Sequence, residues 1–275
     1  MTESLKTRAY NHIRGALMAG LWPEGTFISP AKLAKQIGIS YTPVREAVIQ
    51  LASEGLVEQI PKLGVCTRRL TREELEQLFD LREILEAGAA RRAAERITPS
   101  QLADMETLCR QHRRILHDLR NAARENNDLP VVEEVWTGSR AERLTKLNVI
   151  FHLGLMGASQ NPRLMKTVSD LHILTQVLRD RVVLPGESYM RRLAGEYRFH
   201  VEILRALRRR DGQAAAEWTE RHVVEARRYH LAVYDWREKQ NRSGVASIHG
   251  QDWPKEFLDA VSRMEDIAGN KTPLE

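Results

Sequence analysis

The sequence predicts a mostly α-helical protein in two parts. An N-terminal winged helix-turn-helix with a small β-hairpin wing is followed by a C-terminal antiparallel α-helical bundle. Three observations predict this. Apolar residues recur at helical spacing through most of the chain. A pair of alternating, strand-like runs, 56–60 and 65–69, follows three short helical segments. Beyond residue 70 the striped segments are joined by short connections, which favours antiparallel neighbours. At 275 residues the chain is long enough for two cores. The expected division is 1–70 for the winged domain and 71–240 for the bundle. Residues 241–275 are expected to be a polar linker with a short C-terminal helix that docks on the bundle or a neighbouring subunit, a mobile tail being the alternative.

The first helix runs from Leu5 to Ala19, with Leu5, Ala9, Ile13, Ala16 and Leu17 on its apolar face, and stops at Gly20. The second runs from Pro30 to Ile37. Ser29 is a good N-cap ahead of a proline at the first helical position, and Gly38 permits a tight turn. A third spans about Thr42–Ser53, with Thr42 as cap and Pro43 at its first position. Val44, Ala47, Val48 and Leu51 then pack inward, leaving Tyr41, Thr42, Arg45, Glu46 and Ile49 on the outer face. The two strands follow, around Pro61-Lys62-Leu63-Gly64.

This order presents the N-terminal residues of the third helix to a DNA groove, with the hairpin beside it. Ser40, Tyr41, Thr42 and Arg45 are the candidate contacts on the helix, and Lys62 and Gly64 those on the wing. An arginine fork matches the O6 and N7 acceptors of guanine, and a glycine at a wing tip lets backbone approach a phosphate closely. Charge agrees. Residues 1–70 hold nine Lys/Arg and five acids, so most of the net +5 lies on the first quarter of the chain, where phosphate would be met.

From Thr71 the chain is almost wholly helical. Thr71-Arg72-Glu73-Glu74 is a capping box, and Leu75, Leu78, Phe79, Leu81, Leu85 and Ala89 carry an apolar face to about Arg96. Pro99 opens a helix to about Asn126. Helical pattern then returns from Asp128 to Ser159, broken near Gly138. Asn161-Pro162 starts a helix to about Leu184, another covers Glu187–Arg210, and a last long one runs from about Gln213 to Gln240. In the tail, Trp253, Phe257, Val261, Met264 and Ala268 make a short helical stripe.

Asn148 and His152 share one helix face; His200 and His222 lie on the last two long helices, each among apolar neighbours. Three inward imidazoles from three helices can hold a divalent cation such as Zn, Ni or Mn. A metal-free polar pocket and satisfied core histidines are the alternatives. Glu196, four residues before His200, can orient it or join the site. Arg82 can bind an effector carboxylate, or instead pair with Glu86 on the surface.

The longest uncharged stretch, Leu147 to Pro162, contains Asn148, His152, Ser159 and Gln160 and is too short to span a bilayer. With no signal-peptide pattern and only Cys66 and Cys109, the expectation is a cytoplasmic chain with two free thiols and no membrane partner. A Cys66–Cys109 redox pair is the alternative.

Leu33-Ala34, Ile37-Gly38-Ile39-Ser40, Thr42-Pro43-Val44-Arg45-Glu46-Ala47, Glu54-Gly55-Leu56-Val57 and Gly64 together resemble the GntR superfamily of bacterial regulators over about residues 5–70. Tyr41 stands where that family has arginine, so its usual half-site is not carried over. Over roughly 72–236 the chain resembles the FCD ligand-binding domain of the FadR-type branch. Leu81-Arg82-Glu83-Ile84-Leu85-Glu86 is similar to its opening helix, and Asn148, Phe151-His152, His200 and His222 fall at its metal-ligand positions, with Asn148 replacing the family's aspartate. The resemblance implies a ligand-responsive transcription regulator, a repressor by expectation, that binds a pseudo-palindromic operator as a homodimer. It also implies a small organic or sugar acid effector, with Arg82, Asn148 and Glu196 as its candidate contacts. A metal-dependent hydrolase and a ligand-independent DNA-architectural protein are the competing functions.

Overall fold

A computed structural model of the chain describes residues 4–18, 21–22, 25–60, 64–125, 139–177 and 189–242. Lys62 and the striped tail lie outside the described residues.

The N-terminal part contains α1 (Leu5–Met18), β1 (Phe27–Ile28), α2 (Pro30–Ile37), α3 (Tyr41–Ser53), β2 (Val57–Ile60) and β3 (Gly64–Thr67). Local chemistry sets most of these bounds. Ser29 accepts a hydrogen bond from the Lys32 amide at the start of α2, and Gly38 ends that helix in the left-handed region, at φ 73°. Ala9, Ile13, Leu17, Val44, Ala47 and Leu51 are all fully buried and lock α1 against α3.

Three local expectations need correction. Helix α3 begins at Tyr41, one residue early, so Thr42 does not cap it. Ser40 holds the N-cap position without a side-chain bond, and Pro43 sits third. Proline is tolerated there because the amides of a first turn have no intrahelical partner. The strands are shorter than their alternation suggests, and β1 joins them: the sheet order is β1-β3-β2, antiparallel, with Phe27 opposite Cys66 and Ile28 opposite Val65. Two residues carry too little periodicity to betray β1 in the sequence. That strand also accounts for Gly64, whose φ is 143° and where a Cβ would lie 2.9 Å from the Ile28 carbonyl oxygen.

The bundle comprises α4 (Arg72–Arg96), α5 (Pro99–Glu125), α6 (Ser139–Ala158), α7 (Pro162–Val177), α8 (Tyr189–Arg208) and α9 (Gly212–Arg242). Both halves of the Thr71–Glu74 capping box form. Helix α9 lies along α4, α5 packs on α8 and α6, and α7 bridges α4, α6 and α1. Phe79, Leu75, Phe151 and Leu155 are fully buried, each contributing about 1.5–3 kcal/mol relative to exposure. Leu81, expected on the apolar face of α4, is instead 48% exposed, and Ile84 is 71% exposed. They stand on the side of α4 away from its bundle neighbours.

The two parts share a contact. Val149 of α6 and Ile173 of α7 are buried in the same cluster as Leu17, Val44 and Leu51. Around it, Arg14 of α1 meets Asp170 at 2.5 Å and donates to Ser169 at 2.7 Å. Lys166 pairs with Asp170 at 2.8 Å and faces Glu54, the residue ending α3, at 3.7 Å. Glu54 also accepts from Tyr10 at 2.7 Å.

Candidate functional site

At the tip of α3, Ser40, Tyr41, Thr42 and Arg45 are exposed on one surface. Val44, Ala47 and Val48 are consumed by the core, and at a 3.6-residue period this turns Arg45 outward. Gly64 opens β3 in the adjacent wing. The first-turn amides of α3, uncapped by any side chain, point the same way.

The second site is buried. Asn148 and His152 come from α6, His200 from α8 and His222 from α9, all at most 8% exposed. One ring nitrogen from each histidine lies within 4.8 Å of the others. His152 Nε2 is 3.0 Å from His222 Nε2. Phe151 stacks on His200, with ring centroids 4.1 Å apart and planes at 16°. The Phe-His dipeptide therefore serves two partners: one ring orients His200 and the next meets His222. Burial first, then neighbouring imidazoles, push His200 and His222 well below the usual histidine range. Both are therefore neutral at pH 7 and keep a lone pair for a ligand. Asn148 Oδ1 and His200 Nε2 are buried without a hydrogen-bond partner.

Behind His152 lies a polar group that the sequence reading did not assemble. Glu86 of α4, fully buried, has one carboxylate oxygen 3.1 Å from His152 Nδ1. The other is 3.0 Å from His172 Nε2 of α7 and accepts from Arg82 Nε at 2.7 Å. Arg82 also donates to Thr175 at 3.2 Å. Burial alone would raise the Glu86 carboxyl. Arg82 foremost, with His172 and His152, holds it well below the carboxylate range. His172 is pushed down to about 4, by burial first and then by Arg82.

Arg82 thus pairs with Glu86 in the interior, at 4% exposure, where the sequence suggested a surface pair or a free guanidinium. Glu196 is half-buried, and its charge acts on His222. His112 of α5 is also buried, with its ring 5.8 Å from that of His200. The signal for His172 was a histidine within the apolar run Leu171–Leu174; nothing local marks His112. Cys66 and Cys109 are free and buried, with burial raising each thiol to about 11, so neither is a reactive thiolate.

A helix-turn-helix that exposes an arginine, resting on a bundle that converges neutral imidazoles on its interior, defines a DNA-binding regulator with a sensory domain. Comparison with known proteins agrees. Residues 5–66 match the family described as bacterial regulatory proteins, gntR family, and residues 77–225 match the FCD domain. The chain belongs to the GntR family of transcription regulators, in the group that carries an FCD effector-binding domain. It is 31% identical over 191 residues to the Nta operon transcriptional regulator of Aminobacter aminovorans, covering 70% of this chain and 79% of the relative. It is 26% identical over 227 residues to the HTH-type transcriptional repressor RspR of Escherichia coli K12, covering 82% and 88%. Its fold matches that of E. coli McbR/YncC with a TM-score of 0.66 at 22% identity, over 86% of this chain and 100% of that one. These relatives are regulators, so the hydrolase reading is set aside. No helix among the described residues is long and apolar enough to cross a membrane.

Proposed function

We propose that the chain is a cytoplasmic repressor that binds a pseudo-palindromic operator as a homodimer and releases it when a small organic or sugar acid enters the bundle. The observation that carries this reading is the convergence of the buried His152, His200 and His222, the last two neutral, within a bundle whose α7 also grips the DNA-binding domain.

The donor set fits a divalent cation. Imidazole nitrogens about 2.0–2.1 Å from a tetrahedral ion lie roughly 3.4 Å apart, and the 3.0 Å between His152 and His222 is within a small side-chain shift of that. Asn148 Oδ1, on the same face as His152, is the fourth candidate ligand, and its lack of any other partner supports that role. A bound Zn, Ni or Mn ion would offer an open position to a carboxylate and neutralise it. Asn148 brings no charge, so the effector's own anion suits this set better than a neutral ligand does. Arg82 and Glu196 are the other proposed effector contacts. Arg82 serves only by sharing its guanidinium with Glu86.

On the DNA side, Arg45 reads guanine, while Ser40, Tyr41, Thr42 and the free amides of α3 position the phosphates. Lys62 and Gly64 extend the contact along the wing. The dimer reading is supported by α4, where exposed Leu81, Ile84 and Gly88 fall on one stripe. Moving α7 relative to α4 disturbs the Arg14 and Glu54 contacts, and with them the separation of two recognition helices. Half-sites one DNA turn apart tolerate little change in that separation. Ten- to hundredfold induction needs roughly 1.4–2.8 kcal/mol of coupling.

Metal analysis of purified protein, with mass spectrometry of the ligand it releases, tests this directly. The expected result is about one divalent ion per chain and a released carboxylic acid that weakens operator binding when added back. Protein that takes up none of Zn²⁺, Ni²⁺ or Mn²⁺ would remove the metal from the scheme.

A further inference from the structure

The geometry points to Glu86 as the positioning residue of the histidine site: it fixes His152 as the Nδ1–H tautomer, so that the Nε2 lone pair faces His200 and His222. This deepens the reading of the cluster as a ligand site and rests on it.

The argument is one of partners. A neutral imidazole carries one N–H and one lone pair, and the group beside one nitrogen decides which is which. His152 Nδ1 is 3.1 Å from Glu86 Oε2, an ion-pair distance that a small ring rotation would align as a hydrogen bond, and neither atom is bonded to any other group. Both are buried, so each is the other's available match. The remaining Glu86 oxygen is occupied by Arg82 at 2.7 Å and His172 at 3.0 Å. These pin the carboxylate from the far side and leave Oε2 for His152 alone. Arg82 and Glu86 are one helical turn apart on α4, so the rigid helix sets their alignment.

Glu86, His152 and His172 also have the composition of a small metal site. Arg82 argues against that use. Its guanidinium already bonds the Glu86 oxygen nearest His172, and its Nη2 lies 3.4 Å from His172 Nε2. A divalent ion there would meet a fixed cation. The trio therefore supports the neighbouring site and does not form a second one.

An asymmetry follows. With the His152 Nε2 lone pair facing inward, the 3.0 Å contact to His222 requires His222 Nε2–H as donor. His222 Nε2 would hold a metal only with its proton moved to Nδ1, so His222 would change tautomer and His152 would not.

Ring-nitrogen NMR on the full chain, without metal and with added Zn²⁺, tests this, alongside Zn²⁺ titration of wild type, Glu86→Gln and Thr175→Val. Expected is an Nδ1–H His152 in both wild-type states and an Nε2–H to Nδ1–H change at His222. Zn²⁺ affinity should fall 10- to 100-fold in Glu86→Gln and stay unchanged in Thr175→Val, whose hydroxyl meets Arg82 and the backbone carbonyls of Leu171 and His172 but not His152, His200 or His222. An Nε2–H His152 in metal-free wild type overturns the proposal, whether or not Glu86→Gln folds. Equal Zn²⁺ affinity in wild type and Glu86→Gln also overturns it. Wild-type protein that binds no Zn²⁺ yet keeps His152 as Nδ1–H refutes the metal reading alone and supports the role of Glu86.

Discussion

The Nε2 atoms of His152 and His222 stand 3.0 Å apart in the bundle interior, although the two residues are 70 positions apart in sequence. Two ring nitrogens so placed share one hydrogen, and a cation between them would replace it. His222→Ala should therefore weaken divalent-metal binding at least tenfold, about 1.4 kcal/mol. Operator binding by the metal-free protein should be unchanged. Isothermal titration with Zn²⁺ reads the first, and a gel-shift assay with chelator present reads the second.

Arg45 is exposed and held by no ion pair among the described residues. Arg45→Ala should cost about 1–3 kcal/mol of operator affinity through the lost guanine contact, yet shift folding stability by less than about 0.5 kcal/mol. A variant that footprints its operator like wild type would reject the docking of α3 in the major groove.

The grip of Arg14 on Asp170 and Ser169 ties α1 to α7. Arg14→Ala should lower stability by about 1 kcal/mol and, more tellingly, reduce the effector's ability to release DNA. A double-mutant cycle of Glu54→Gln with Lys166→Met, read in induction ratio, isolates the second link. Full induction in both experiments would show that the signal does not travel through α7.

Acid should destabilise the metal-free protein early. The His172 imidazole is held at about 4, against 6.5 for a free histidine. Below 6.5 the unfolded chain takes up a proton that the native site refuses. Stability is then lost as pH falls from about 6.5 to about 4, by roughly 1.4 kcal/mol per pH unit for that residue. His200 and His222 act with the same sign. Glu86 works lower: its carboxyl is held well beneath 4.5, so its stabilisation fades only as pH falls past that value. Thermal melts with chelator should thus be level from pH 8 to 7 and decline from 6.5 downward. A level melting temperature to pH 5 would contradict the neutral, buried state of His172.

Gly64→Ala should loosen the wing. The added Cβ meets the Ile28 carbonyl oxygen at 2.9 Å, and φ of 143° is itself strained for alanine. A loss of about 1–3 kcal/mol is expected in a denaturant titration. An unchanged midpoint would mean that β1 yields at no cost.

Much of this protein was legible in the order of its residues, because the deciding physics is local. Ser29, Gly38 and the Thr71–Glu74 box fix helix ends through bonds within four residues. The period of Val44, Ala47, Val48 and Leu51 fixes which face of α3 holds Arg45 outward. The spacing of Asn148 and His152 puts them on one helix face, and apolar neighbours turn His200 and His222 inward. Tertiary packing alone decided the rest. Strand β1, two residues long, exists only because β3 offers it an edge. Arg82 is buried rather than exposed because α7 covers it with His172 and Thr175. Glu86, read in sequence as a partner for Arg82, becomes the neighbour of His152 only when α4 and α6 cross. The contact of α7 with α1 likewise joins residues some 155 positions apart. Such pairings depend on where helices meet, which no local period encodes, and they turn a DNA-binding motif and a histidine cluster into one connected structure.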